Sequence, residues 1–215
     1  MATTNIKLLR GTVAPNQPMA QADYDQRFQE QFSNVLRLYF NQLDNFTNTL
    51  TSDFGGSGLR FPYGAFEDTT TQTTTANTAK VITLNTTDYA NGVSLVSGSR
   101  ITVAAAGLYN LQFSVQLSSL ENAPTDTSIW LRKNGTDIVG STGLVGLLAR
   151  KSPSDPSHDI KGWNYFISMA ANDYVQMYWS STSANVSIDQ YPASITPTRP
   201  STASVVATLS FVSAT

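Results

Sequence analysis

The clearest pattern in the chain is a strict alternation of apolar and polar side chains in residues 109–117. Tyr109, Leu111, Phe113, Val115 and Leu117 are apolar, and every residue between them is polar. Successive side chains of a β-strand point to opposite faces, so a period of two predicts a strand with one buried and one solvated side. The pattern therefore indicates a sheet that buries one face.

Further strand-like runs, separated by turn residues, fill the chain after residue 67. A run that includes Trp130 ends at Asn134 and Gly135, the pair most typical of a two-residue hairpin turn. Residues 163–169 and 174–179 are predicted to form another strand pair, and residues 203–212 the last strand. The sequence predicts a mainly β fold, a two-sheet jelly-roll sandwich of about eight to ten antiparallel strands, over residues 67–215.

A helical period precedes the strands. Apolar residues recur every three or four positions at Tyr24, Phe28, Phe32, Val35, Tyr39, Leu43, Phe46 and Leu50. This spacing predicts one long amphipathic α-helix over residues 21–52, ended by Gly55 and Gly56. Two interpretations of the stripe stay open: it packs on the chain's own sheet, or three copies form a stalk around a threefold axis.

The segments around the helix lack such periods. Residues 1–20 contain Gly11, Pro15 and Pro18 and are predicted to form an extended arm, and residues 53–66 a Gly/Pro linker. Ile6, Leu8 and Leu9 are a short apolar cluster in the arm. Because Ile6 and Leu8 alternate, we interpret the cluster as a docking segment that either adds to a neighbouring protein as an extended strand or inserts into a groove on it.

Composition excludes several classes of function. Charged residues are 13% of the chain, the formal net charge is −2, and no basic run is present, so we expect no binding to nucleic acid or membranes. Without cysteine there is no disulfide, thiol catalysis or Cys-ligated zinc. The first residues hold no apolar stretch typical of a signal peptide, which predicts synthesis in the cytoplasm.

The candidate catalytic residues are few. His158, the one histidine, follows Ser152 and Asp155 in a proline-containing segment that we interpret as a structural loop, since a catalytic triad needs members held on separate rigid elements. Glu67 and Asp68 are adjacent, and we interpret them as solvated loop charges. We therefore expect no enzymatic activity, no cofactor and no metal site.

Four pieces of the β region together carry a family resemblance. They are residues 107–109 (Gly-Leu-Tyr), 130–135 (Trp-Leu-Arg-Lys-Asn-Gly), 172–179 (Asn-Asp-Tyr-Val-Gln-Met-Tyr-Trp) and 199–209, which begin Arg-Pro-Ser-Thr. Their order and spacing resemble the jelly rolls of the complement and tumour-necrosis-factor family, in the form found in phage fibre, knob and capsid-decorating proteins. The resemblance implies a jelly roll that trimerises through one sheet.

Together with this resemblance, the observations predict a non-enzymatic phage virion structural protein that decorates the capsid or is attached to it, as a cement, fibre or knob protein does, and that is made in the host cytoplasm. The expected partners are two further copies, in a homotrimer, and other virion proteins of the capsid or tail. Residues assigned to the sheet core or the trimer interface are Tyr109, Leu111, Phe113, Val115, Trp130, Tyr178, Leu209 and Phe211.

The alternative is a receptor-binding protein of the tail-fibre type that recognises a host-surface glycan. Loops 119–128 and 150–162 would then bind the glycan. The aromatic residues considered for stacking on sugars are Trp163, Tyr165, Tyr174, Tyr178, Trp179 and Tyr191.

Overall fold

The computed structural model describes residues 15–17, 23–51 and 61–214. The chain divides into two compact units, residues 1–60 and 61–215. The predicted docking residues Ile6, Leu8 and Leu9 lie outside the described residues, as do residues 52–60 of the predicted linker.

The first unit contains helix α1, Gln26–Thr51. It begins later than predicted because Asp25 caps it: the Asp25 side-chain oxygen Oδ1 accepts from the backbone N–H of Arg27 at 2.9 Å, and the Asp25 carbonyl accepts from Gln29 N at 3.1 Å. Tyr24 therefore precedes the helix and is exposed. The other members of the predicted stripe lie on the helix and are half-buried.

Over its described residues, 61–214, the second unit contains sixteen strands. They are β1 (Tyr63–Asp68), β2 (Gln72–Thr73), β3 (Lys80–Val81), β4 (Thr86–Asn91), β5 (Val93–Val96), β6 (Arg100–Val103), β7 (Gly107–Ser119), β8 (Thr125–Lys133), β9 (Thr136–Asp137), β10 (Gly143–Leu147), β11 (Ser157–Met169), β12 (Tyr174–Ser181), β13 (Val186–Ile188), β14 (Ser194–Ile195), β15 (Thr198–Arg199) and β16 (Val205–Ser213). The count exceeds the predicted eight to ten mainly because five of the strands are only two residues long; eleven strands are longer.

The strands form two seven-stranded antiparallel sheets and one short hairpin, β14–β15. In sheet A, β7 is at the centre and β11 pairs with one side of it. Both β16 and β13 pair with the other side of β7. Strand β16 is followed across the sheet by β1 and then β4, and β13 is followed by β2. Sheet B has the order β10-β8-β12-β6-β5, with β9 beside β8 and β3 beside β12. The predicted fold class, a mainly β jelly-roll sandwich preceded by one helix, is confirmed.

The core lies between the two sheets, and alternation along β7 builds its centre. Tyr109, Leu111, Phe113, Val115 and Leu117 are all buried, as the period of two predicts. From sheet B, Ile129, Leu131, Met177 and Trp179 complete the same cluster.

One predicted boundary and one predicted strand pair are wrong. Strand β1 starts at Tyr63, inside the predicted linker 53–66, and Phe66 is fully buried, so residues 61–66 belong to the sandwich. The Gly and Pro residues of this segment hide its alternation. The predicted β-pair of 163–169 with 174–179 does not form either, because β11 pairs with β7 in sheet A whereas β12 pairs with β8, β6 and β3 in sheet B.

The turn between β11 and β12 is therefore a corner between the sheets. Asp173 holds it: its carboxylate accepts from Ala170 N at 2.8 Å and from Asn134 Nδ2 at 2.7 Å, and it pairs with Lys133 Nζ at 3.1 Å. Hydrogen bonds from Asn134 and Ala170 hold the pKa of Asp173 below its usual range. The corner is thereby tied to the β8–β9 hairpin, whose turn residues Asn134 and Gly135 have positive φ, as predicted.

Candidate functional site

The outer face of sheet A is free of formal charge across its three longest strands. Register places Val206, Ser114 and Gly162 in one row, Thr208, Gln112 and Asn164 in the next, and Ser210, Asn110 and Phe166 in a third; the pairs Gln116–Ile160 and Leu108–Ser168 extend these rows. None of these residues is Asp, Glu, Lys or Arg. We call this set the uncharged face.

In the uncharged face, the two strands that flank β7 carry large exposed apolar side chains. Ile160 is 65% exposed and Phe166 54% exposed on β11, and Val206 is 41% exposed on β16. Between them β7 presents amides and hydroxyls such as Gln112 and Ser114. The face combines exposed apolar area with neutral hydrogen-bonding groups, which is typical of a surface that is covered in an assembly.

The outer face of sheet B has the opposite character. Trp130 on β8 lies opposite Tyr178 on β12, with ring centroids 5.9 Å apart and planes inclined by 32°. The Arg132 guanidinium carbon lies 4.0 Å from the centre of the Tyr178 ring. Farther along, Arg100 lies 4.7 Å above the Tyr174 ring. This face is aromatic and charged.

Asp137, at the end of the β8–β9 hairpin, fixes this cluster. Its Oδ1 accepts from Trp130 Nε1 at 2.8 Å and from Arg132 Nε at 2.6 Å. The bond from Arg132, and then that from Trp130, lower the pKa of Asp137, and the same contact raises the pKa of Arg132. We call Trp130, Tyr178, Arg132 and Asp137 the aromatic platform.

The sequence assigns Trp130 and Tyr178 to the core or the trimer interface. As core residues they are misplaced, because on β8 and β12 the inward positions belong to their neighbours Ile129, Leu131 and Trp179. Of the other residues in that set, Phe211 is half-buried against the core, and Tyr109, Leu111, Phe113, Val115 and Leu209 are inside it.

His158 lies in strand β11 and not in a loop, because the strand already starts at Ser157. Its Nδ1 is 3.2 Å from the Tyr191 hydroxyl oxygen, and that hydroxyl donates to Asp189 Oδ2 at 2.7 Å. Burial, and then the bond to Asp189, raise the pKa of Tyr191 to about 12. Ser152 and Asp155 form a separate turn through their backbones, so the structure does not assemble the residues of the segment into a triad.

The interpretation of Glu67 and Asp68 as solvated loop charges is wrong. Both lie on β1, and Asp68 is only 1% exposed, whereas Glu67 is half-buried on the other face. The Asp68 carboxylate accepts hydrogen bonds from neutral donors of Thr70, Gln72, Thr83 and Asn85. Its neighbours satisfy it fully, which indicates a structural role.

The aromatic residues considered for stacking on sugars lie in different parts of the sandwich and do not form one site. Trp179 is in the core, Trp163 and Tyr165 pack against it, and Tyr191 lies beside His158. Tyr174 and Tyr178 are half-buried on the outer face of sheet B. Sequence reasoning missed Trp130 as their companion, although its place opposite Tyr178 follows once the two strands are known to pair.

Across the part of the chain that the structure describes, no three His, Asp or Glu side chains are grouped closely enough to hold a metal ion. Among those same residues, no helix combines the length and the apolar character needed to span a membrane.

No protein-family model matches the chain, and no curated protein sequence matches it. Among solved structures, the chain is similar to one titled "Structure of Eiger TNF from S. frugiperda". The two chains are 10% identical, and the match covers 73% of this chain and 96% of that one with a TM-score of 0.48. The assignment of a jelly roll rests on the two sheets of this chain themselves.

Proposed function

We propose that the protein is a non-enzymatic structural protein of a phage virion that assembles as a homotrimer through the uncharged face of sheet A. The uncharged face is the observation that carries the proposal. In a cyclic oligomer, identical surfaces approach each other around the symmetry axis, so a charge near that axis meets its own copies. A face built from amides, hydroxyls and apolar groups avoids this repulsion.

The apolar residues of the face supply the driving force. Ile160, Phe166 and Val206 stand on the two strands that flank β7 and are exposed in the single chain. Full burial of an exposed large apolar side chain is worth about 1.5–3 kcal/mol. These three side chains are already partly buried in the single chain, so each gains a part of that value on assembly, and each protomer of a trimer contributes all three. The exposed amide of Gln112 provides hydrogen bonds that a neighbouring copy can satisfy.

The sequence pieces at 107–109, 130–135, 172–179 and 199–209 support the virion assignment, since their order resembles that of phage fibre, knob and decoration proteins. The low share of charged residues, 13%, suits close packing against other virion proteins. The half-buried stripe of α1 is a second candidate surface for self-association, and the arm cluster Ile6, Leu8 and Leu9 remains a predicted docking segment.

The non-enzymatic assignment is supported by the partners of the residues with catalytic potential. His158 faces the Tyr191 hydroxyl, which itself donates to Asp189. Asp68 is enclosed by neutral donors inside the sandwich. Neither group is placed beside an activated nucleophile.

Light scattering with charge variants tests the trimer. We expect the wild-type protein to have three times the chain mass of 23.3 kDa at micromolar concentration. Gln112→Lys puts a charge in the middle row of the uncharged face and should give folded monomers. Ser94→Lys adds the same charge to an exposed position of sheet B and should leave the trimer intact. A monomeric wild type, or a trimeric Gln112→Lys variant, would contradict the proposal.

Mass spectrometry and electron microscopy of purified particles test the virion assignment. We expect the chain in particles that survive density-gradient purification, and antibody label on their surface. Particles that lack the chain after complete purification would refute the assignment without bearing on the trimer.

A further inference from the structure

The outer face of sheet B presents consecutive rows of side chains on β8 and β12. Trp130 lies opposite Tyr178, and the next row is the pair Ser128 and Ser180. Both strands are interior to the sheet, since β8 lies between β10 and β12 and β12 lies between β8 and β6. The two rings are therefore held on a rigid backbone, and both are half-buried and so partly accessible to solvent.

The polar groups around the rings are fixed as well. Asp137 holds the Trp130 indole through Nε1 and holds Arg132 through Nε, and Arg132 in turn lies against the Tyr178 ring. Arg132 and Asp137 form an ion pair, so the local charge is balanced. Asp137 is exposed and, with two oxygens, retains acceptor capacity for a ligand.

The side chains in the row next to the aromatic platform are short. Ser128 and Ser180 are small, and the outward residue one step farther along β8 is the exposed Asp126. A strand rises about 3.4 Å per residue, so Asp126 and Trp130 are separated by about 14 Å along the strand. The surface between them has an aromatic wall, a hydroxyl floor and a carboxylate at its far end.

We propose that this surface is a saccharide-binding site, and that its ligand is a neutral oligosaccharide whose pyranose ring stacks on Trp130 and Tyr178. One face of a pyranose presents C–H groups that pack on the electron-rich face of an aromatic ring. Its equatorial hydroxyls are both donors and acceptors, and they fit Asp126, Asp137 and the serine hydroxyls. A balanced ion pair beside a further carboxylate disfavours anionic sugars.

The site is independent of the proposed trimer, because it occupies the other sheet of the sandwich. It assigns the predicted glycan alternative to residues on strands instead of loops 119–128 and 150–162. An aromatic pair across two strands also stabilises a sheet. The experiment below therefore distinguishes a loss of ligand binding from a loss of folding stability.

Saturation-transfer NMR with oligosaccharides of glucose, galactose, mannose and N-acetylglucosamine tests the site, with a heparin oligosaccharide as the anionic probe. We expect at least one neutral probe to bind. Trp130→Ala should weaken that binding by roughly tenfold or more. Tyr89→Ala, which removes an exposed ring from β4 in sheet A, should leave it unchanged.

Trp130→Ala could weaken binding merely by destabilising the sheet, so a second variant blocks the proposed site and leaves the rings in place. Ser128→Tyr fills the floor while Trp130 stays in place, and it should abolish binding without lowering the melting temperature. The proposal is overturned if no neutral probe binds at about 10 mM, if Ser128→Tyr binds like the wild type, or if heparin binds more tightly than every neutral probe. Each outcome can be read whether the protein is a trimer or a monomer.

Discussion

Replacing the buried carboxylate of Asp68 tests how β1 is held to the segments around it in sheet A. Thr70 donates to Oδ1 from its backbone N–H at 2.7 Å and from its hydroxyl at 2.6 Å, and Asn85 Nδ2 donates to the same oxygen at 3.2 Å. Gln72 Nε2 and Thr83 Oγ1 donate to Oδ2 at 3.0 and 2.9 Å. The Asp68 carbonyl accepts from Ser204 N at 2.8 Å, directly before β16.

The magnitude follows from which donors lose their partner in Asp68→Ala. A hydrogen bond to a charged group contributes about 1.5–3 kcal/mol, but Thr70 and Asn85 are exposed and can bond to water instead. Gln72 is buried but also donates to the Thr83 carbonyl at 3.0 Å. The loss is further offset because a buried charge no longer has to be desolvated. We expect the free energy of unfolding to fall by roughly 2–4 kcal/mol.

Asp68→Asn keeps the shape of the side chain but turns an amide N–H₂ towards donors, so we expect a loss of roughly 1–2 kcal/mol. Urea unfolding followed by tryptophan fluorescence measures both variants, with Asp88→Ala on the exposed strand β4 as the control. If Asp68→Ala is within about 0.5 kcal/mol of the wild type, the reasoning is wrong, since that is the range of ordinary surface substitutions.

Two further predictions follow from close packing and from titration. Gly162→Ala should lower the free energy of unfolding by roughly 1–3 kcal/mol, because the added Cβ would overlap the Phe113 carbonyl oxygen on β7. The control is Gly146→Ala, whose Cβ would be 3.8 Å from its nearest contact. Equal melting temperatures for the two variants would contradict this prediction. Because the pKa of Tyr191 is raised to about 12, its contribution to stability is complete below pH 10 and declines as pH rises towards 12. Tyr191→Phe should remove that part of the alkaline decline in stability, and an identical decline in both proteins would refute it.

Alternation predicted the elements that have one apolar face. The alternation of residues 109–117 lies within β7, which has extra residues at both ends, and the last predicted strand, residues 203–212, corresponds to β16. Strands β4 and β10 were missed for a physical reason. In β10, Val145 and Leu147 are buried, but the exposed Leu144 beside them is also apolar, so the sequence shows no alternation. In β4 every residue is at least partly exposed and Tyr89 is the one large apolar side chain. A strand that buries little leaves little pattern in the sequence.

The candidate sites were less predictable because they depend on which strands become neighbours. Ile129, Trp130 and Leu131 are all apolar, so a period of two cannot decide which of them face the core. Pairing β8 with β12 and burying Ile129 and Leu131 turns Trp130 outwards beside Tyr178. The burial of Asp68 likewise depends on partners up to residue 204, far beyond any local window.

The polar positions of β7 carry the strongest physical argument about how the molecule is used. Exposed positions of a sheet commonly carry Lys or Glu, which keep a solvated face soluble and discourage association with other sheets. On β7 the outward-facing positions are Asn110, Gln112, Ser114 and Gln116, and the neighbouring strand β11 adds Asn164 and Phe166. The outer face of sheet B, by contrast, has Arg100, Arg132 and Asp126. Both faces belong to one sandwich, so the composition of the whole chain does not explain the difference. We infer that the uncharged face is the one covered in the proposed trimer, and that the aromatic platform remains open to a ligand.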